Sequence, residues 1–189
     1  MPELLEELRQ EHRSMHDVLC CLDRQIGKLA KDEQPDYDVI RAALEYFAGF
    51  PDQCHHPKED LILTRLGERD PVSAWIVGDL QRDHARLAES LKIFAASILA
   101  VLLEAELPRD DVTRWARAFI DEQQRHMAME QANFFPAAAR ALSAEDWTEL
   151  AAAAPRGADP LRGQPAEAKY DALRRMIMAW DAEDQSAAG

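Results

Sequence analysis

The chain has 189 residues, 47% hydrophobic and 30% charged, which suits one globular domain able to close a real core. Its 35 acidic against 22 basic residues give a formal net charge of −13, which excludes duplex nucleic acid and anionic lipid as general partners because no basic footprint exists to neutralise phosphate. There is no signal-like N-terminus, the run from Ile93 to Leu103 is too short to span a bilayer, and three cysteines without Cys-x-x-Cys spacing give neither a disulfide framework nor a thiolate zinc site, so the expected setting is cytoplasmic and away from membranes.

Four long segments share a helical period. In the first, Leu8, His12, Met15, Leu19, Leu22, Ile26 and Leu29 alternate steps of four and three, which keeps one face turned inward until a polar break near Lys31. A second, about Asp36 to Leu66, carries Ile40, Leu44, Phe47, Pro51, His55, Glu59, Ile62 and Leu66. A third, about Val72 to Leu107, carries Val77, Leu80, His84, Leu87, Leu91, Phe94, Ile98 and Val101. Asp110 is placed to cap the fourth, which runs through Trp115, Phe119, Glu122, His126, Glu130 and Asn133 to about Ala141. Long helices joined by short loops predict an all-α, up-down-up-down antiparallel four-helix bundle over residues 1–142. Residues 143–189 form a C-terminal extension: a two-turn helix opened by Ser143 and Asp146, a Pro- and Gly-containing linker, an amphipathic helix near Ala166 to Trp180, and a frayed tail from Asp181. The amphipathic helix is expected to cover an outer groove, or else to make a dimer contact.

The inward stripes carry ionisable residues at His12, His55, Glu59, His84, Glu122, His126 and Glu130. Buried charge is costly unless it is paired or bound to metal. His12 lies 19 residues before Lys31 and His55 lies 19 after Asp36, so both stand roughly 28 Å from the first loop at about 1.5 Å per residue. His55 is 12 residues before Gly67 and His84 is 13 after Pro71. The polar positions therefore converge on one layer. His55 with Glu59, and His126 with Glu130, are each four apart and stack on one helix face. Two carboxylates able to bridge, flanked by four imidazoles, form a sensible shell for two first-row ions: His12, His55, Glu59, His84, His126 and Glu130. Iron suits this set, with manganese or zinc as other occupants. No Glu-x-x-His occurs anywhere in the chain, which argues against a ferritin-like centre.

His12, the segment His55-His56-Pro57-Lys58-Glu59-Asp60, Asp83-His84, and His126-x-x-x-Glu130 followed by Phe134-Phe135-Pro136 together resemble the hemerythrin-like (HHE cation-binding) domain family over about residues 4–141. The resemblance implies two non-haem iron ions, bridged by carboxylates and by oxide or hydroxide. It also implies a small ligand such as O2, H2O2 or NO. Oxygen carriers of that family hold a further histidine one turn before the third-helix histidine, where this chain has Leu80. That favours a more open, reactive or sensory centre over reversible oxygen storage. If the protein is an enzyme, the reaction to expect is catalase-like peroxide breakdown; a non-catalytic sensor of oxygen, nitric oxide or iron is the alternative. Glu122 and His16 are candidates for an extra ligand or an outer hydrogen-bonding role. His56 is read on the wrong face relative to Glu59, as outward or outer-sphere. Pro57 should open the turn it occupies, since it removes a hydrogen bond to Gln53. Cys54 is read as packing.

Overall fold

A computed structural model describes residues 2–103, 107–154 and 166–187, and every regular element among them is helical. The order is α1 (Glu3–Ala30), α2 (Tyr37–Phe47), a π-helical turn (Pro51–His55), α3 (His56–Arg69), α4 (Pro71–Val77) and α5 (Leu80–Leu102). After these come α6 (Arg109–Met129), a second π-helical turn (Glu130–Phe134), α7 (Phe135–Ala141), α8 (Ala144–Ala153) and α9 (Ala166–Ala187). No described helix is long and apolar enough to cross a membrane.

Local chemistry sets the ends of these elements. Asp36 opens α2 by accepting from the backbone N–H of Asp38 and Val39. Ser143 and Asp146 form a reciprocal capping box at α8, as their spacing predicts. Asp110 does not cap the fourth segment; α6 begins one residue earlier, behind Pro108, whose fixed φ pre-sets the turn. The expected third helix is broken between Val77 and Leu80. Gly78 takes φ +90, a conformation that side chains resist, and Asp79 then caps α5 through the Arg82 N–H. The tail expected to fray from Asp181 instead continues α9 to Ala187. Asp181 is buried and accepts from Arg24, while Asp184 accepts from Lys28 and Gln25, so charges of α1 hold the end of α9. Residues 155–165, where the linker was expected, lie outside the described residues.

The core is two apolar clusters. One joins Met15, Leu19, Leu22, Phe47, Phe50, Phe94 and Phe119, with Tyr170 and Ile177 of α9 packed into it. The other joins Leu4, Leu5, Leu8, Ile62, Leu66, Leu80, Phe134 and Phe135. On α1, His12 falls between Leu8 and Met15; on the α3 segment, His55 and Glu59 fall between Cys54 and Ile62. His84 falls between Leu80 and Leu91, and Glu130 between Met127 and Phe134. Each chain segment thus passes from one cluster to the other through a polar residue. α9 covers α1 and α2, and Gly49 permits its closest approach: a Cβ there would stand 1.9 Å from Tyr170 Oη.

Candidate metal centre

Two π-helical turns shape the polar layer, and each is followed after one residue by a proline, Pro57 and Pro136. A proline has no N–H to give the carbonyl one turn back, so the preceding turn is free to widen, and a single π-turn inside an α-helix inserts an extra residue. At Pro51–His55 the consequence is directional. In a continuous α-helix His55 and His56 would point about 100° apart, yet both are buried against the same layer. Of the two alternatives expected for His56, outward or outer-sphere, burial therefore corrects the outward one. At the second turn Glu130, its first residue, is fully buried.

The four oxygens of the two carboxylates divide between two clusters of imidazole. Glu59 Oε1 lies 3.2 Å from His55 Nε2 and 3.9 Å from His12 Nε2, while its Oε2 lies 3.5 Å from His84 Nε2. Glu130 Oε2 lies 3.3 Å from His12 Nε2, and its Oε1 lies 2.9 Å from His126 Nε2 and 3.8 Å from His84 Nε2. Donor atoms of His12, His55, Glu59 and Glu130 all fall within 4.8 Å of one another, and so do those of His56, Glu59, His84 and His126. His12 Nε2 and His55 Nε2 are 3.0 Å apart. Two nitrogens bound at right angles to one ion, each at about 2.1 Å, would be separated by about that distance.

Whether these residues fit a metal is tested by what they lack. Both oxygens of Glu59, both of Glu130, and Nε2 of His84 and of His126 are buried and have no hydrogen-bond partner. The short approach of His126 to Glu130 is a charge contact too poorly directed to count as one. Buried acceptors are almost always satisfied in folded proteins, and six orphaned atoms aimed at one layer are donors that could hold a cation. Oxygen and imidazole donors without thiolate suit first-row ions of intermediate hardness.

Outside this layer, polar residues hold the rings. His55 Nδ1–H donates to Glu11 Oε2 at 2.8 Å, and Glu11 in turn accepts from Lys58 Nζ, a lysine with only 2% of its side chain exposed. His56 Nδ1 is 3.0 Å from Asp52 Oδ1, and Gln131 Nε2 is 3.0 Å from His12 Nδ1. Phe135 stacks on His12, and Phe50 lies over His55. Burial opposes charge on His55, yet Glu59 and Glu11 outweigh it and raise the imidazole to about 10; His84 rises to about 9 against its own burial through Glu130 and Glu59. Glu59 is held below the ordinary carboxylate range, burial being overcome chiefly by His55, and Glu130 well below it by His12, His126 and His84. Burial lowers His56, against the pull of Asp52. The raised imidazoles of His55 and His84 and the lowered carboxylates of Glu59 and Glu130 thus favour opposite charges within the layer.

The structure thus brings together all six residues expected as ligands, and adds His56. Glu122 and His16 belong to neither set of donors. His16 is exposed and lies 3.5 Å from Cys20 Sγ. Glu122 lines a cavity of about 450 Å³ between α5 and α6 with Asp83, Arg86, Leu87, Arg125, His126 and Met129, and its Oε2 is buried without a partner. Cys54 is fully buried in the apolar core, as expected. Sequence reasoning missed Glu11, Lys58, Asp52 and Gln131. Asp52 carried a legible signal, a carboxylate four residues before a histidine.

The model of the hemerythrin HHE cation-binding domain matches residues 3–138 of the chain. No curated protein and no solved structure matches it.

Proposed function

The chain belongs to the hemerythrin HHE cation-binding domain family, and on that premise we propose that it is a non-haem di-iron protein of up-down-up-down bundle architecture that binds a small ligand such as O2, H2O2 or NO. Its ligands on this reading are His12, His55, Glu59, His84, His126 and Glu130. One observation carries the proposal: each of Glu59 and Glu130 turns one oxygen to the His12–His55 pair and the other to the His84–His126 side. Two carboxylates so placed would be able to hold two ions between them. A bound pair of iron ions supplies redox chemistry and exchangeable positions for a small ligand.

The chain's own part is to hold, shield and feed that centre. The two apolar clusters exclude water from above and below the layer, which strengthens every electrostatic contact within it. On this reading the cavity between α5 and α6 serves as an entry route, since Arg86 and Arg125 line it together with His126 of the layer. Glu122, on that route and with an unpartnered buried oxygen, is the group that holds or passes a proton beside an entering peroxide.

The test is an optical spectrum of aerobically purified, iron-loaded protein, followed by peroxide addition with oxygen release recorded. Charge-transfer absorption and peroxide-dependent oxygen release support a reactive centre. Iron-loaded protein without such absorption contradicts the di-iron reading.

One contact favours a second reading, a sensor. Phe50 packs both on His55, with centroids 6.4 Å apart, and on Tyr170 of α9, 5.8 Å away. Occupancy of the centre would then be passed to the C-terminal helix. Iron-dependent protection of α9 from hydrogen exchange, without peroxide turnover, supports this version.

A further inference from the structure

We propose that His56 is a fifth imidazole ligand, supplied from α3 in place of the histidine that position 80 on α5 does not carry. The proposal rests on the two-ion reading above and deepens it: the His84–His126 side would hold three imidazoles and the His12–His55 side two.

Two observations lead there, and a third sets a condition. The π-turn brings consecutive residues to one layer, so that His55 contributes to the first set of donors, His56 to the second, and Glu59 to both. Glu59 lies four residues after His55 and three after His56, and both spacings bring side chains together on a helix. Second, His56 is anchored in the way His55 is. Asp52 holds its Nδ1 as Glu11 holds that of His55. A ring held at Nδ1 by an outer carboxylate is the usual state of a metal-bound histidine, with Nε2 left for the ion. Third, His56 lies parallel to His84 in the ion-free chain, ring centroids 3.6 Å apart and planes 7° from parallel, with His126 edge-on to both, so His56 must turn off that stack to bring its nitrogen to the same ion. Leu80 meanwhile is fully buried in the lower apolar cluster, and supplies no donor to the layer.

Cobalt(II) serves as the probe, loaded anaerobically into the full chain grown with ring-15N histidine. A nitrogen bonded directly to cobalt carries a large contact shift, which a ring that only stacks on a ligand does not receive. Of the six histidines in the chain, five should show the shift, with His16 as the internal unshifted control. His56→Ala should weaken the second cobalt by more than the roughly 100-fold that loss of an outer-sphere partner can cost. Asp52→Asn, on an exposed residue, should weaken the same ion by about 10–100-fold and leave the first unchanged. Four shifted histidines in the wild type, or two cobalt ions bound by His56→Ala at wild-type affinity, overturns the assignment while leaving the two-ion reading intact. Wild-type protein that takes up no cobalt overturns that reading and this one with it.

Discussion

Replacing Glu11 by alanine isolates the part of the centre that lies beyond the ligands. Glu11 Oε2 receives the Nδ1–H of His55 at 2.8 Å, and Lys58 is bonded to the same carboxylate. A hydrogen bond to a charged group contributes about 1.5–3 kcal/mol, and outer partners of metal-bound histidines alter affinity by about 10–100-fold, equivalent to about 1.4–2.8 kcal/mol. The two figures agree, so Glu11→Ala should weaken one of the two ions by about that factor. The affected ion is the one held by His12 and His55. Lys58 keeps Glu7 as a partner, so the variant leaves no buried charge unpaired and should fold. Glu11→Gln retains an acceptor oxygen while losing the charge, and should lose less than about tenfold. Calorimetric titration of metal-free protein with cobalt(II), against a chelator of known affinity, reads both sites. If Glu11→Ala binds both ions within about twofold of wild type, under about 0.4 kcal/mol, Glu11 has no role in fixing His55 and the reasoning fails.

Metal loading at pH 7 should release protons into a weak buffer, because His55 and His84, raised to about 10 and about 9, are protonated in the ion-free chain; loading with no pH change refutes this. The same shifts fix the alkaline behaviour of ion-free protein. Both folded values exceed the ordinary histidine value of about 6.5, so their stabilisation is complete below that pH and is lost as pH rises through about 9 and about 10. Thermal denaturation should show the loss in that window for ion-free but not loaded protein. Gly49→Ala drives a methyl group into the buried Tyr170 hydroxyl and should cost about 1–3 kcal/mol, lowering Tm by roughly 2–4 °C per kcal/mol for a chain of this size. An unchanged Tm would mean that α9 does not dock as described. Glu122→Gln should slow peroxide-dependent oxygen release by about 10²–10⁴-fold at unaltered iron content; unaltered turnover removes Glu122 from the proton path.

The helices and the polar layer were legible because both rest on period and counting. Apolar residues at steps of three and four marked the inward faces, and residue counts to the loops placed the histidines at one level. Breaks in that period were harder to see. The stripe Val77, Leu80, His84 keeps helical spacing across Gly78 and Asp79, so the period survives a chain that turns at φ +90; the Gly-Asp pair was the available signal. His56 was misplaced by the same logic. A 100° rotation per residue holds only in an α-helix, and the π-turn before Pro57 changes the rotation at that point. The tail after Asp181 looked frayed because its acids have no sequence neighbours of opposite charge, whereas their partners Arg24 and Lys28 lie about 157 residues away on α1. Lys58 and Glu11 were invisible for a related reason: a charged residue reads as solvent-facing until the chain that neutralises it is known.

The most direct measurement is the number of ions bound per chain by metal-free protein titrated anaerobically with ferrous iron, compared with Glu59→Ala. Because Glu59 is shared between the two sets of donors, the account predicts two ferrous ions per wild-type chain and the loss of both tight sites in the variant. Wild-type protein that binds one ion or none, or a Glu59→Ala variant that still binds two tightly, would contradict it.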